Sequence, residues 1–160
     1  MSALDIDVIV EAAQWDACAN AETIVRDAIV QAAGALDKPP HGALVVLLTD
    51  DAAIQRLNAT WRGLDKPTNV LSFPGADTPG DGLRHLGDVA IAYETTAREA
   101  HAEDKPIAHH VAHLSVHGFL HLMGYDHESD SEAETMEQLE RVILARMGVP
   151  DPYATHKIGA

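Results

Sequence analysis

Cysteine and long apolar runs are nearly absent from this sequence. The single cysteine, Cys18, excludes an internal disulfide and is typical of a protein from a reducing compartment. No apolar run is long enough to span a bilayer, so we expect no membrane partner. The first 15 residues carry three acids (Asp5, Asp7 and Glu11) where a secretory signal requires a basic start and an apolar run. We therefore expect no signal peptide, and a soluble, cytoplasmic protein.

Basic residues are also few. The chain has 11 lysines and arginines against 25 aspartates and glutamates, which gives a formal net charge of −14. Such a charge disfavours non-specific binding of nucleic acid over the whole surface, and we expect no DNA partner, although a small basic site is not excluded. A length of 160 residues without an evident linker or repeat favours one domain. We place this domain at residues 1–148 and a C-terminal tail at 149–160.

The periodicity of apolar residues predicts an α+β fold with about four strands and about five helices. The predicted strands are 4–10, 43–49, 68–73 and 86–93. The predicted helices are 21–35, 51–61, 94–103, 106–123 and 130–147. Residues 74–82, PGADTPGDG, are predicted to form a flexible loop because they are rich in turn-forming residues.

Three histidines near the end of the fourth predicted helix have the spacing of a metal site. His117 and His121 are four residues apart, so on a helix they project from one face. Gly124 is placed to end the helix and to turn the chain, which can bring His127 back to the same point. Three histidines and one water form an open tetrahedral site, the arrangement expected of catalytic zinc. We therefore predict one zinc ion bound by His117, His121 and His127.

Several residues around this pattern are further candidates for supporting roles. His113 and His109 extend the same helix face upstream, and His113 is the better candidate for orienting a metal ligand. Asp126 either orients a ligand or is a turn residue. The acidic residues that follow are interpreted as the solvated face of the last helix. They are Glu128, Asp130, Glu132, Glu134, Glu137 and Glu140.

The residue after the first histidine argues against a peptidase. Metzincin peptidases share the histidine spacing but carry glutamate at the position of Gly118, where it is the general base. Without that carboxylate the peptidase mechanism loses its base, while the metal geometry is retained. The sequence does not identify another proton-transfer group.

Three segments together resemble the YbeY family, bacterial endoribonucleases of ribosomal RNA maturation. These segments are HGFLHLMGYDH at 117–127, LNATWRGLDKPTNVLSFP at 57–74 and LGDV at 86–89. The resemblance covers roughly residues 40–147 and implies a zincin-like fold, a small mixed sheet flanked by helices. It also implies that the three histidines bind the metal and that Arg62 acts on substrate phosphate, for which a guanidinium is well suited.

The resemblance favours one of three hypotheses. It implies a zinc-dependent endoribonuclease, specific for single-stranded RNA, that acts in 16S ribosomal RNA 3′-end processing and ribosome quality control. The ribosome or its small subunit would then be a partner. One alternative is a non-enzymatic ribosome assembly factor with a structural metal, and the other is a metzincin-like hydrolase of another substrate. The open three-histidine site counts against the assembly factor, because structural zinc is usually closed by a fourth protein ligand.

Overall fold

Strands and helices alternate along most of the chain, in close agreement with the predicted pattern. A computed structural model describes residues 4–75 and 84–154. The strands are β1 (Leu4–Val10), β2 (Gly42–Thr49), β3 (Val70–Pro74) and β4 (His85–Ala92). The α-helices are α1 (Ala21–Gly34), α2 (Asp51–Arg62), α3 (Tyr93–Ala102), α4 (Ile107–Leu122) and α5 (Asp130–Arg146). The α+β class and the predicted numbers of strands and helices are confirmed. A short 3₁₀ helix, Ala13–Ala17, was not predicted.

The four strands form one mixed sheet in the order β1-β2-β4-β3. The pairs β1–β2 and β2–β4 are parallel, whereas β3 pairs antiparallel with β4. The uninterrupted apolar sequence of β2 is explained by its central position in the sheet, where helices cover both faces of the strand. The strand β3 lies at an edge of the sheet, and one of its sides is therefore open to a ligand.

Helices cover the sheet on both faces and form two apolar clusters. The larger cluster joins α1, α4 and α5 to the inward face of β2 and β4, with Val46, Phe119 and Ile143 fully buried. The smaller cluster joins Ile54 of α2 to Leu71 of β3 and Ala90 of β4 on the opposite face. Edge strand β3 is thus held between α2 on one face and α4 on the other.

Two predicted segments lie partly outside the described residues. Of the predicted loop at 74–82, residues 76–82 are outside them, and so are residues 155–160 of the predicted tail. The beginning of that tail packs against the domain, because Pro152 is buried and Tyr153 contacts α4 and α5. No helix in the described ranges combines the length and the apolar character needed to cross a membrane.

Candidate metal centre

The structure brings the three predicted histidine ligands together at the C-terminal end of α4. The Nε2 atoms of His117 and His121, one helical turn apart, are separated by 3.1 Å. The ring of His127 lies with its centroid 5.2 Å from that of His121 and 6.0 Å from that of His117. One nitrogen of each ring can be chosen so that all three lie within 4.8 Å of one another. This group has the donor types and the spacing to hold a metal ion.

Gly124 produces the turn that returns His127 to the helix. Its φ of +95° lies in the left-handed region that glycine adopts without a Cβ penalty. The amide of Tyr125 donates to the carbonyl of Leu120, and the amide of Gly124 donates to the carbonyl of His121. These two bonds form a Schellman motif, which satisfies the last carbonyls of α4 and reverses the chain.

A buried carboxylate on α5 lies behind the histidines. Glu140 has a side chain that is only 1% exposed, and its Oε2 atom is 3.0 Å from Nδ1 of His117 and 2.9 Å from Nε2 of His113. The hydroxyl of Tyr153 donates to the other carboxylate oxygen at 2.6 Å. The carboxylate therefore fixes the orientation of His117 and favours the tautomer that leaves Nε2 free for a metal.

The carboxylate is held in its ionised form. Burial alone would raise the pKa of Glu140, but hydrogen bonds and charge interactions with His113 and His117 outweigh it and lower that pKa to about 2. Burial and the adjacent Glu140 raise the pKa of the Tyr153 hydroxyl, which remains a hydrogen-bond donor. Burial, with the proximity of His117 and His127, lowers the pKa of His121. A lowered pKa favours the neutral imidazole, which is the form that binds metals.

We expect Glu140 to make the free energy of unfolding of the metal-free protein decrease as the pH falls in the acid range. Its pKa is lower in the folded state than the ordinary value of 4.5, so its contribution is complete above pH 4.5 and is lost as the pH falls through about 2. The contribution is about 3 kcal/mol. Urea unfolding at successive pH values should show the difference between wild type and Glu140→Gln shrinking over this interval. Glu134→Gln, an exposed change on the same helix, is the control, and a difference independent of pH would contradict the assignment.

Arg62 lies in the same cleft as the three histidines. It is the last residue of α2, and its Nη2 atom is 3.3 Å from the carbonyl oxygen of Ser72 on edge strand β3. Arg62, Ser72, His117, His121 and His127 all line one cavity of about 550 Å³, which we call the histidine cleft. The cleft thus combines a cationic side chain with a candidate metal site.

Gly118 lies at the closest approach of α4 to the sheet. A Cβ atom there would lie 2.7 Å from Cγ1 of Val89, and its carbonyl accepts a hydrogen bond from Ser72 at 2.9 Å. A glutamate at this position would require α4 to move away from the sheet, because the β-branched valine is stiff. The packing is consistent with the sequence argument against a peptidase mechanism.

His113, His109 and Asp126 have different surroundings. His113 shares the Glu140 carboxylate with His117, and its ring also lies edge to face with that of His117, with the centroids 6.2 Å apart. Within the described residues, a second group that could hold a metal consists of His113, His117 and Glu140, and His109 belongs neither to it nor to the group of three histidines. Asp126 accepts a hydrogen bond from the backbone amide of His127 at 2.8 Å, which is a turn contact.

The interpretation of Glu140 as part of a solvated acidic face was wrong. The sequence held a signal for its burial, since Glu140 occupies the same helical stripe as Met136, Ile143 and Leu144. Tyr153 was missed because it lay in the predicted tail, where nothing in the sequence indicated a partner.

Comparisons with known sequences identify the family of this chain. A family model described as Endoribonuclease YbeY matches residues 9–148. A curated relative named Endoribonuclease YbeY from Rhodopseudomonas palustris (strain BisB18) is 60% identical over 153 residues, which cover 92% of this chain and 91% of the relative. Relatives with the same name come from Nitrobacter hamburgensis, at 59% identity with 92% and 81% coverage, and Bradyrhizobium sp. (strain BTAi1), at 56% with 92% and 91%.

The fold has a counterpart among solved structures. The solution structure of TM1509 from Thermotoga maritima matches with a TM-score of 0.52 over 89% of this chain and 91% of that one, at 22% sequence identity. At that identity the match supports the fold alone. The family model and the relatives, which span nearly the whole chain, establish that this protein belongs to the Endoribonuclease YbeY family.

Proposed function

We propose that this protein is a zinc-dependent endoribonuclease that cleaves single-stranded RNA in ribosomal RNA maturation, including processing of the 16S ribosomal RNA 3′ end and ribosome quality control. The proposal includes one hydrolase domain, at residues 1–148. The observation that carries it is the histidine cleft, which places Arg62 and three convergent histidines around one space. Membership in a family named for endoribonuclease activity supports the reaction class.

The donor set fits zinc. His117, His121 and His127 would hold the ion through three imidazole nitrogens, and a position would remain open for water or substrate. Glu140 accepts a hydrogen bond from Nδ1 of His117, which leaves Nε2 for the ion. Buried carboxylates commonly have this position behind zinc-binding histidines. When bound, zinc supplies Lewis acidity that polarises a phosphoryl oxygen and makes a coordinated water more acidic.

Arg62 supplies the positive charge for the phosphate. A guanidinium can form two parallel hydrogen bonds with phosphate oxygens and stabilise the charge that develops on them during cleavage. Its contact with the Ser72 carbonyl holds the side chain against β3 and within the histidine cleft. Arg62 therefore binds and orients the scissile phosphate beside the histidines.

The charge of the chain favours an RNA that is presented by a partner. The formal net charge is −14, and the histidine cleft is also lined by Asp126 and Glu128. A single arginine among acidic groups gives weak affinity for free RNA, since affinity rises with the number of neutralised phosphates. We infer that the ribosome or its small subunit contributes to binding, and that the protein acts in the cytoplasm.

The test is cleavage of an end-labelled single-stranded RNA by zinc-loaded protein. We expect cleavage that a chelator abolishes and added zinc restores, with much slower cleavage of the same sequence in a perfect duplex. The chelated protein should keep its far-ultraviolet circular dichroism spectrum, because most of the core is remote from the cleft. Loss of the fold on chelation, without cleavage of either free RNA or small-subunit RNA before it, would favour the assembly factor with a structural metal.

A further inference from the structure

A second cavity lies on the other side of edge strand β3. Its volume is about 620 Å³, and its walls are mostly apolar, with Leu47, Leu57, Trp61 and Phe73 among the lining residues. We call it the apolar cavity. Trp61 lines it although its side chain is 70% exposed, the highest exposure among the large apolar residues of the described ranges.

The apolar cavity adjoins the histidine cleft. Arg62, Ser72 and Pro74 line both spaces. The alternation of side chains along β3 explains the arrangement, because Phe73 faces the α2 side of the sheet while Ser72 faces α4. A ligand whose charged group lies at Arg62 can therefore extend past the edge of β3 into the apolar cavity.

We propose that the apolar cavity binds one nucleobase of the RNA chain, the base of a nucleotide whose phosphate is held by Arg62. The inference rests on the proposed function for the position of that phosphate. It adds a base-binding subsite that includes Trp61, Phe73, His85 and Asp88, none of which belongs to the histidine group or contacts it.

A nucleotide has the chemistry that this pair of cavities requires. It joins an anionic phosphate to a flat ring with an apolar face and polar edges. Exposed aromatic rings are the usual stacking partners of unpaired bases, and Trp61 offers such a ring. The cavity also contains a polar pair, Nε2 of His85 and Oδ1 of Asp88, which are 3.2 Å apart. The polar edge of a base can form hydrogen bonds with this pair, whereas a purely aliphatic ligand cannot. An adenine amino group can donate to the Asp88 carboxylate.

The experiment compares two probes that share a phosphate and a ribose. Adenosine 5′-monophosphate carries the base and ribose 5-phosphate lacks it, and neither contains a phosphodiester bond that the protein could cleave. Dissociation constants are measured by calorimetric titration of the zinc-loaded protein. Quenching of Trp61 fluorescence reports where the base binds, with Trp61→Ala giving the background from buried Trp15.

We expect wild type to bind adenosine 5′-monophosphate about tenfold or more tightly than ribose 5-phosphate, as one stacked base provides. Trp61→Ala should remove most of that preference, while Trp61→Phe should retain it. The exposed apolar residue Val30 on α1 provides a matched control, and Val30→Ala should leave the preference unchanged. Because Trp61 is largely exposed, its replacement is expected to preserve the fold.

The outcomes separate this inference from the proposed function. Equal affinity of wild type for the two probes, or a preference that survives in Trp61→Ala, would overturn the base subsite without affecting the nuclease proposal. Arg62→Ala should weaken the binding of both probes and leave the ratio of their dissociation constants unchanged. If Arg62→Ala weakens neither probe, the position assigned to the phosphate in the proposed function is wrong, whatever the base contributes.

Discussion

Replacement of His121 by alanine is expected to abolish zinc binding at one ion per chain and to reduce RNA cleavage by about a thousandfold or more. His121 is one of the three converging histidines of the candidate metal site, and its Nε2 atom is 3.1 Å from that of His117. Two imidazoles alone do not complete the three-residue set of a catalytic zinc site. Loss of the ion removes several kcal/mol of transition-state stabilisation, which is the basis of the expected effect. Zinc content is measured by atomic absorption and cleavage by a labelled single-stranded RNA.

Two further variants serve as a control and as an intermediate case for this experiment. His109→Ala removes a histidine of the same helix that belongs to neither potential metal group, and it should leave zinc content and cleavage at wild-type levels. Glu140→Gln keeps all three histidines and should weaken zinc affinity about 10- to 100-fold through the loss of the charged partner of His117. Wild-type zinc content in folded His121→Ala would contradict the three-histidine site. Cleavage by that variant at the wild-type rate would indicate a contaminating nuclease.

Arg62→Ala is expected to lower the rate of RNA cleavage about 100- to 1,000-fold while zinc content stays at one ion per chain. Removing a fixed donor from the charge that develops in a transition state costs this much in other enzymes. The change deletes an exposed side chain with one hydrogen bond to the Ser72 carbonyl, so the cost to stability is about 1 kcal/mol at most. Single-turnover cleavage with saturating protein separates the chemical step from RNA binding.

Neighbouring substitutions make this prediction specific. Arg56→Ala removes an exposed arginine from the same helix, α2, and should cleave at the wild-type rate. Arg62→Lys keeps the charge but loses the planar pair of donors, and it should recover only part of the lost activity. If Arg62→Ala and Arg56→Ala lose activity equally, the arginine contributes only a general electrostatic attraction. Full activity of Arg62→Ala would show that Arg62 has no catalytic role.

The helices and strands were predictable because local signals agreed with the tertiary environment. The apolar run of β2 is buried between two strands, and Asp50 caps α2 by accepting from the amide of Ala53 at 2.8 Å. The histidine group was predictable for the same reason. Helical spacing and a glycine turn are local features, and both appear at His117, His121 and Gly124.

Contacts between distant segments could not be predicted from the sequence. Glu140 is 23 residues from His117 and Tyr153 is 13 residues from Glu140, yet the three form one hydrogen-bonded chain. The apolar stripe of α5 is a local signal for the burial of Glu140, but the partners of its carboxylate are set by the packing of α5 and of Tyr153 against α4. The resemblance implied a role for Arg62, but its position beside β3, where it lines both cavities, depends on the order of the strands.

By itself, the sequence determined the α+β class, the helix that carries the metal group, the ligand spacing and the family resemblance, because each of these is encoded within a single segment. Tertiary structure decided which side chains contact the histidines of that site and which cavities adjoin it. The buried carboxylate of Glu140, the tight approach at Gly118 and the two cavities on either side of β3 all arise where segments far apart in the chain meet. Their energetics depend on burial and on distances of a few ångströms, which no local pattern of residues specifies.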